Sequence, residues 1–234
     1  MKLVAITALK GGTGRTTAIM ALASALDHLG ERTVLFDTDP LEPLVHWQAE
    51  AQKAGAWSDR CQAVATPDLG SIDRAYAAAE TRNEPGNADL VLIDLDARDE
   101  RITRAVVPNA AMVLICTGLT PLDLAATTTA YQRVVEILIE AGAAVESALL
   151  FSRMPDRELS PAERDGHAAL ASLPHMRTSL SECEPFAAMT NHGLLHRMPA
   201  PAAPRLLKRR PSSIDRARAE ADALAAELLQ RIES

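Results

Sequence analysis

Aromatic residues are scarce in this chain: three Phe, two Tyr and two Trp among 234 residues. A surface that holds single-stranded nucleic acid by stacking needs aromatic rings among its cations. The densest run of cations, Arg205, Lys208, Arg209, Arg210, Arg216 and Arg218, has none between them. Cysteine is scarcer still. Cys61, Cys116 and Cys183 are odd in number, far apart, and lack the CxxC or Cys/His spacing of a zinc site, so buried free thiols are expected. Cys116 stands alone at a strand end, which excludes an iron–sulfur cluster bridged between subunits. Long apolar runs are missing too, because Lys10, Arg15 and Asp37 interrupt the early ones. The opening residues run straight into glycines, unlike a secretory signal, and the cytoplasm is the expected compartment. Excess positive charge is also lacking: 24 Lys and Arg against 31 Asp and Glu leave a net −7. Any nucleic-acid binding must come from a local patch and not from the overall field.

What the chain does have is apolar content, 47% of residues, in a length suited to one α/β domain covering 1–234. Residues 2–8 are apolar on both faces, as in a strand buried within a parallel sheet. Residues 16–29 carry apolar residues at helical spacing, and Gly30 stands where that helix ends. The alternation continues with strands at 33–36, 62–65, 90–93, 112–116 and 145–151. Helices are expected at 44–54, 72–79, 122–141, 161–171, 184–190 and 212–232, with a loop at 83–87 and a Pro-rich stretch at 198–204. Thr120 and Pro121 suit the start of the long helix. Strands alternating with helices predict a mostly parallel central sheet with helices on both faces.

The strongest local signal is Leu9-Lys10-Gly11-Gly12-Thr13-Gly14-Arg15-Thr16-Thr17, set between a buried strand and a helix. Glycines let successive N–H groups curl onto phosphate oxygens, and the positive end of the following helix points at the same spot. In the Walker pattern the hydroxyl after the basic residue ligates Mg²⁺, which assigns Thr16 to the metal and Thr17 to the α-phosphate. A plain glycine turn is the alternative, and the order of three glycines, a cation and two threonines weighs against it. Two departures stand out. Leu9 occupies the first glycine position, and Arg15 replaces the lysine that touches the β and γ phosphates. A guanidinium is larger, planar and forked. Nucleotide binding with slowed hydrolysis is the expectation.

Carboxylates follow at the strand ends. Asp37 and Asp39, in Asp37-Thr38-Asp39-Pro40, fall at the carboxyl edge of the sheet beside the phosphate loop. Helix capping competes for both, more strongly for Asp37. Asp94 closes the run Leu90-Val91-Leu92-Ile93, the arrangement of a Walker B carboxylate that meets Mg²⁺ through water. Asp96 is a weaker candidate, and Asp99 with Glu100 suits a helix start.

The phosphate loop with its extra lysine resembles the deviant Walker A of the ParA/MinD family, and the likeness covers residues 1–151. The resemblance implies a P-loop NTPase fold, ATP and Mg²⁺ as cofactors, and a homodimer that sandwiches ATP. It assigns Lys10 to reach across to the phosphates held by a partner subunit, Asp39 to position the attacking water, and Asp37 to support the Mg²⁺ shell. It places adenine near Ser152, Arg153, Met154 and Pro199, with a surface ion pair an equal reading of Arg153. More narrowly, Glu42-Pro43-Leu44 with Trp47, Trp57 to Cys61, Leu119 to Asp123, and Glu184 to His196 are similar to the VirC proteins of T-DNA transfer. That likeness implies DNA binding, partners in transfer complexes and a polar or DNA-associated location, with replicon partition close behind.

The basic residues Arg205, Lys208, Arg209, Arg210, Arg216 and Arg218 suit phosphate backbone contacts, and a solvated charge run is the even alternative. The resemblance favours DNA. A MinD-like membrane helix is not expected, because Glu220, Asp222, Glu227 and Glu233 crowd the last turns. The rivals are a nucleotide-binding scaffold with little hydrolysis and a small-molecule ligase or synthetase on the same fold. Lys10 discriminates, since a self-contained active site has no use for it.

Overall fold

A computed structural model of the protein describes residues 1–81, 90–198 and 212–233. Six strands alternate with helices: β1 (Lys2–Ala8), α1 (Arg15–Leu29), β2 (Thr33–Asp37), α2 (Pro43–Lys53), β3 (Cys61–Ala65), α3 (Leu69–Thr81) and β4 (Leu90–Asp96). Next come α4 (Glu100–Val106), a 3₁₀ turn (Val107–Asn109), β5 (Met112–Thr117), α5 (Pro121–Ala141) and β6 (Glu146–Phe151). The chain ends in α6 (Pro161–Leu170), α7 (Glu184–His192) and α8 (Ser213–Glu233). The strands form one sheet in the order β3-β2-β4-β1-β5-β6, with every pairing parallel.

Parallel neighbours need crossover helices, and these cover both faces. Alternate residues of each strand feed two separate cores. Val4 and Ile6 of β1 with Leu92 of β4 pack against α1, α2, α7 and α8, through Leu22, Leu26, Trp47, Met189, Leu224 and Leu228. Leu3, Ala5, Val91 and Ile93 pack the other way, against Ile72 of α3, Ile102 of α4, Val134 and Ile137 of α5, and Leu170 of α6. The expected stripe of α8 is present: Leu224 and Leu228 are fully buried, and Ile232 lies against the same core.

Helix ends follow local chemistry. Gly30 takes the left-handed conformation at φ 89° and ends α1. Thr120 and Asp123 close a capping box on α5, and Asp99 caps α4 through Ile102 N–H. Several elements outrun their sequence reading. β2 takes in Asp37 and β4 continues to Asp96, because hydrogen bonding to the neighbouring strand extends past the last apolar residue. Cys61 and Cys116 are buried free thiols as expected, whereas Cys183 is only half-buried, since it opens α7 beside a surface cleft. The expected loop at 83–87 lies outside the described residues, as does the Pro-rich stretch beyond Met198. Among the described residues, no helix is long and apolar enough to cross a membrane.

Candidate nucleotide site

β1 and α1 are joined by the loop 9–14, which opens at the carboxyl edge of the sheet between its central strands β4 and β5. Gly12 and Gly14 adopt φ 80° and 86°, a left-handed backbone that L side chains rarely take. At Gly14 a Cβ would also lie 3.1 Å from Ser152 Oγ, so the loop needs glycine there for space as well. Gly14 is the N-cap of α1 and has no side chain to offer, which leaves the first-turn amides of Arg15, Thr16 and Thr17 without a side-chain cap. Below the loop, the buried Ser152 hydroxyl donates to Thr13 C=O, and Thr13 Oγ1 donates to Lys10 C=O at 3.2 Å. The cradle is thus tied down from beneath while its upper amides face the cleft.

Asp94 lies fully buried on β4, and Thr16 Oγ1 donates to its Oδ2 at 3.1 Å. Arg15 turns back from α1 so that its Nε forms an ion pair with Asp94 Oδ1, while Nη1 donates to Leu95 C=O at 3.3 Å. Burial raises the Asp94 carboxyl to about 6, opposed by the Arg15 charge and reinforced by Asp37. A buried carboxylate beside a threonine hydroxyl at the end of a phosphate cradle fits Mg²⁺, which takes oxygen ligands and keeps several waters. With the metal bound, Thr16 and Asp94 would hold it, and its charge would offset that of the phosphates.

Lys10 does not turn toward Asp94. Its Nζ donates to Asp123 Oδ1 of α5 at 2.6 Å, along the cleft rim. Asp123 Oδ2 meanwhile accepts from Thr120 N–H and Oγ1. Burial pushes the Asp123 carboxyl up, and the bonds from Lys10 and Thr120 outweigh it, so it lies below the usual carboxylate value.

Asp37 lies level with Asp94 on the neighbouring strand, and its carboxylate is bonded to backbone amides. Its Oδ2 accepts from Leu44 and Val45 N–H at 2.7 and 3.3 Å, and Oδ1 accepts from Asp39 N–H. It is a buried cap for α2, and desolvation raises its pKa. Asp39 lines the cleft and accepts Leu41 N–H at 2.9 Å. Thr38 Oγ1 donates to Asp94 C=O at 2.6 Å and couples this segment to β4. Asp96 is held by Arg98, with 2.6 Å between Nη2 and Oδ2, and both residues line the cleft.

The cleft has a volume of about 550 Å³ and takes in residues 8–17 with Asp39, Asp96 and Arg98. Its far wall is Ser152 and Arg153 with residues 180–183, Phe186 and Ala187. Met154 does not line it: its N–H donates to Leu180 C=O, its C=O accepts from Glu182, and its side chain joins the core. Arg153, at φ 56°, donates to Gly12 C=O at 2.7 Å and pairs with Glu182 at 2.5 Å, so the surface ion pair and the cleft wall are one arrangement. Pro199 lies outside the described residues. Sequence reasoning missed the wall at 180–187, whose backbone is brought in by pairing Leu180 N–H with Phe151 C=O.

The basic cluster divides. Arg216 pairs with Asp156 and Glu220, and Arg218 donates to Leu195 and Met198 C=O at 3.2 and 2.7 Å. Both also make contacts within the fold, Arg216 with carboxylates and Arg218 with backbone carbonyls. Arg205, Lys208, Arg209 and Arg210 lie outside the described residues.

The family model for the VirC1 protein matches residues 1–234. The chain belongs to the VirC1 family. Protein virC1 of Rhizobium rhizogenes is 34% identical over 196 residues, covering 84% of this chain and 83% of that protein. Among solved structures, an McdA variant from Cyanothece in complex with ATP superposes with a TM-score of 0.68 at 15% identity, covering 97% and 96% of the two chains. The MinC:MinD cell division complex of Aquifex aeolicus gives a TM-score of 0.67 at 17% identity, covering 98% and 96%. These two likenesses establish a shared P-loop NTPase fold.

Proposed function

We propose that this VirC1-family chain is an ATP- and Mg²⁺-dependent switch that pairs with a second copy of itself and binds DNA, in DNA transfer or replicon partition. In this reading the amides of residues 11–17 and the Thr17 hydroxyl hold the phosphates, Thr16 and Asp94 hold Mg²⁺, and Asp39 orients the attacking water. Arg153 borders the base. The observation that carries the proposal is Lys10: it sits on the phosphate loop, yet its ammonium lies at the cleft rim against Asp123, 37% exposed, and not over Asp94. A cation so placed is poorly sited for its own nucleotide and well sited to meet one held by a facing copy, where it would offset charge as hydrolysis proceeds.

Hydrolysis is expected to be weak. Arg15 must leave Asp94 to reach a phosphate, and its guanidinium is bulky for a cradle sized to lysine. That same ion pair favours a second reading, a nucleotide-binding scaffold that scarcely turns over. DNA contact is assigned to Arg205, Lys208, Arg209 and Arg210. Sedimentation velocity with and without Mg²⁺-ATP, followed by a gel shift across a salt series, tests the reading. A dimer formed with nucleotide, and salt-sensitive DNA binding lost in Arg209→Glu/Arg210→Glu, is expected. A monomer under both conditions refutes the switch, and indifference to the charge reversal removes these residues from the DNA site.

A further inference from the structure

We infer that His28, His196 and Asp222 form a binding site for a divalent transition metal of the zinc class, which staples α1, the segment after α7, and α8 to one another. The three residues come from distant parts of the chain. Their ligating atoms, His28 Nδ1, His196 Nε2 and one Asp222 oxygen, all lie within 4.8 Å of one another. The two nitrogens are 3.2 and 3.1 Å from Asp222 Oδ1. Tetrahedral zinc with bonds of about 2.0 Å separates neighbouring ligand atoms by about 3.3 Å, so these edges need little adjustment.

A second observation points to a missing ligand. The His196 side chain is only 9% exposed, and its Nε2 is buried without a hydrogen bond. The Asp222 oxygen is within reach but off the donor direction. A buried nitrogen left unmatched is costly, and a metal at the centre of the cluster would engage it. The His28 side chain is 54% exposed, which opens one side of the cluster to solvent for entry and for a water as fourth ligand. The His28 and His196 rings are stacked at 4.1 Å and 11°, so the exposed His28 ring must tilt from the stack for both nitrogens to meet one ion.

The surroundings agree. Asp27, the other acid nearby, is engaged by Arg60 and Arg197. Arg218, the adjacent cation, directs its donors at Leu195 and Met198 C=O. Two imidazoles and one carboxylate select zinc and its neighbours over Mg²⁺ and Ca²⁺, which take oxygen ligands. The site lies at the opposite end of α1 from the phosphate loop.

The test uses the full chain, stripped with chelator and desalted, in excess Mg²⁺ so that oxygen sites are held. Zn²⁺ is titrated in competition with a chromophoric chelator, and Co²⁺ is added separately to read tetrahedral coordination from its visible spectrum. One metal per chain is expected, with a raised thermal midpoint. His28→Ala, an exposed position, and the near-isosteric Asp222→Asn should each weaken binding at least about tenfold and abolish the midpoint shift, since losing a direct ligand costs no less than losing an outer partner. Cys183→Ser should change nothing. Wild-type affinity in both variants, or no Zn²⁺ bound by the wild-type chain, overturns the proposal.

Discussion

The ammonium of Lys10 and the carboxylate of Asp123 are 2.6 Å apart, and the same carboxylate closes the capping box of α5. One acid therefore serves a helix terminus and restrains the lysine assigned to the partner's nucleotide. Pairing with a second copy would require Lys10 to let go. Because Lys10 is substantially exposed, the restraint is small, of the order of a surface ion pair at about 0–1 kcal/mol.

Asp123→Asn is expected to separate these duties. The helix cap weakens by about 1 kcal/mol, read from urea unfolding. Nucleotide-dependent dimerisation tightens by up to about fivefold as Lys10 is released. A weaker dimer at equal folding would mean that Asp123 positions Lys10 for the partner.

Arg15→Lys restores a compact ammonium to the cradle and removes the Nε contact with Asp94. ATP turnover should rise on the order of tenfold, since the change acts where phosphate charge is held. Equal turnover by the two proteins would show that Arg15 does not limit hydrolysis.

Gly14→Ala forces an L side chain into φ 86° and against Ser152. A loss of about 1–3 kcal/mol of stability is expected. ATP binding, followed with a fluorescent analogue, should fall below detection because the first-turn amides of α1 shift. Retained binding would show that the loop adapts.

Glu227 offers a pH test of how α8 is fastened. Burial pushes its carboxyl up, and the N–H groups of Arg177 and Thr178, with Arg231, more than offset this, holding it below the ordinary 4.5. A folded pKa below the unfolded one contributes stability above pH 4.5, lost as pH falls through the folded value. Glu227→Gln should therefore cost about 1–2 kcal/mol at pH 7. In acid the difference from wild type should vanish. A gap that widens in acid would contradict the assignment.

The sheet and the phosphate loop were legible because their signals are local. Strands such as Leu90 to Ile93 are apolar on both faces, and glycines, cation and hydroxyls of the loop are consecutive. The pairing of Lys10 with Asp123 joins residues 113 apart, and no local pattern announces it. For Asp37 the two readings stayed open for a chemical reason, since a carboxylate at a strand end looks alike whether it caps the next helix or supports a metal. The backbone bonds of Arg218 were not legible, because carbonyl acceptors leave no trace in side-chain identity. The cleft wall at 180–187 is set by backbone pairing to β6, which apolar periodicity does not report.

The shared site can be tested by mixing two inactive chains. Lys10→Ala and Asp39→Ala should each form silent homodimers, one without the reaching cation and the other without the water-orienting acid. In a mixed dimer, one site combines an intact Asp39 with Lys10 supplied from across the interface. ATP turnover of the equimolar mixture should recover to about a quarter of wild type, since half the dimers are mixed and each has one complete site. No recovery, with mixed dimers demonstrably formed, would place Lys10 in its own active site and contradict the account.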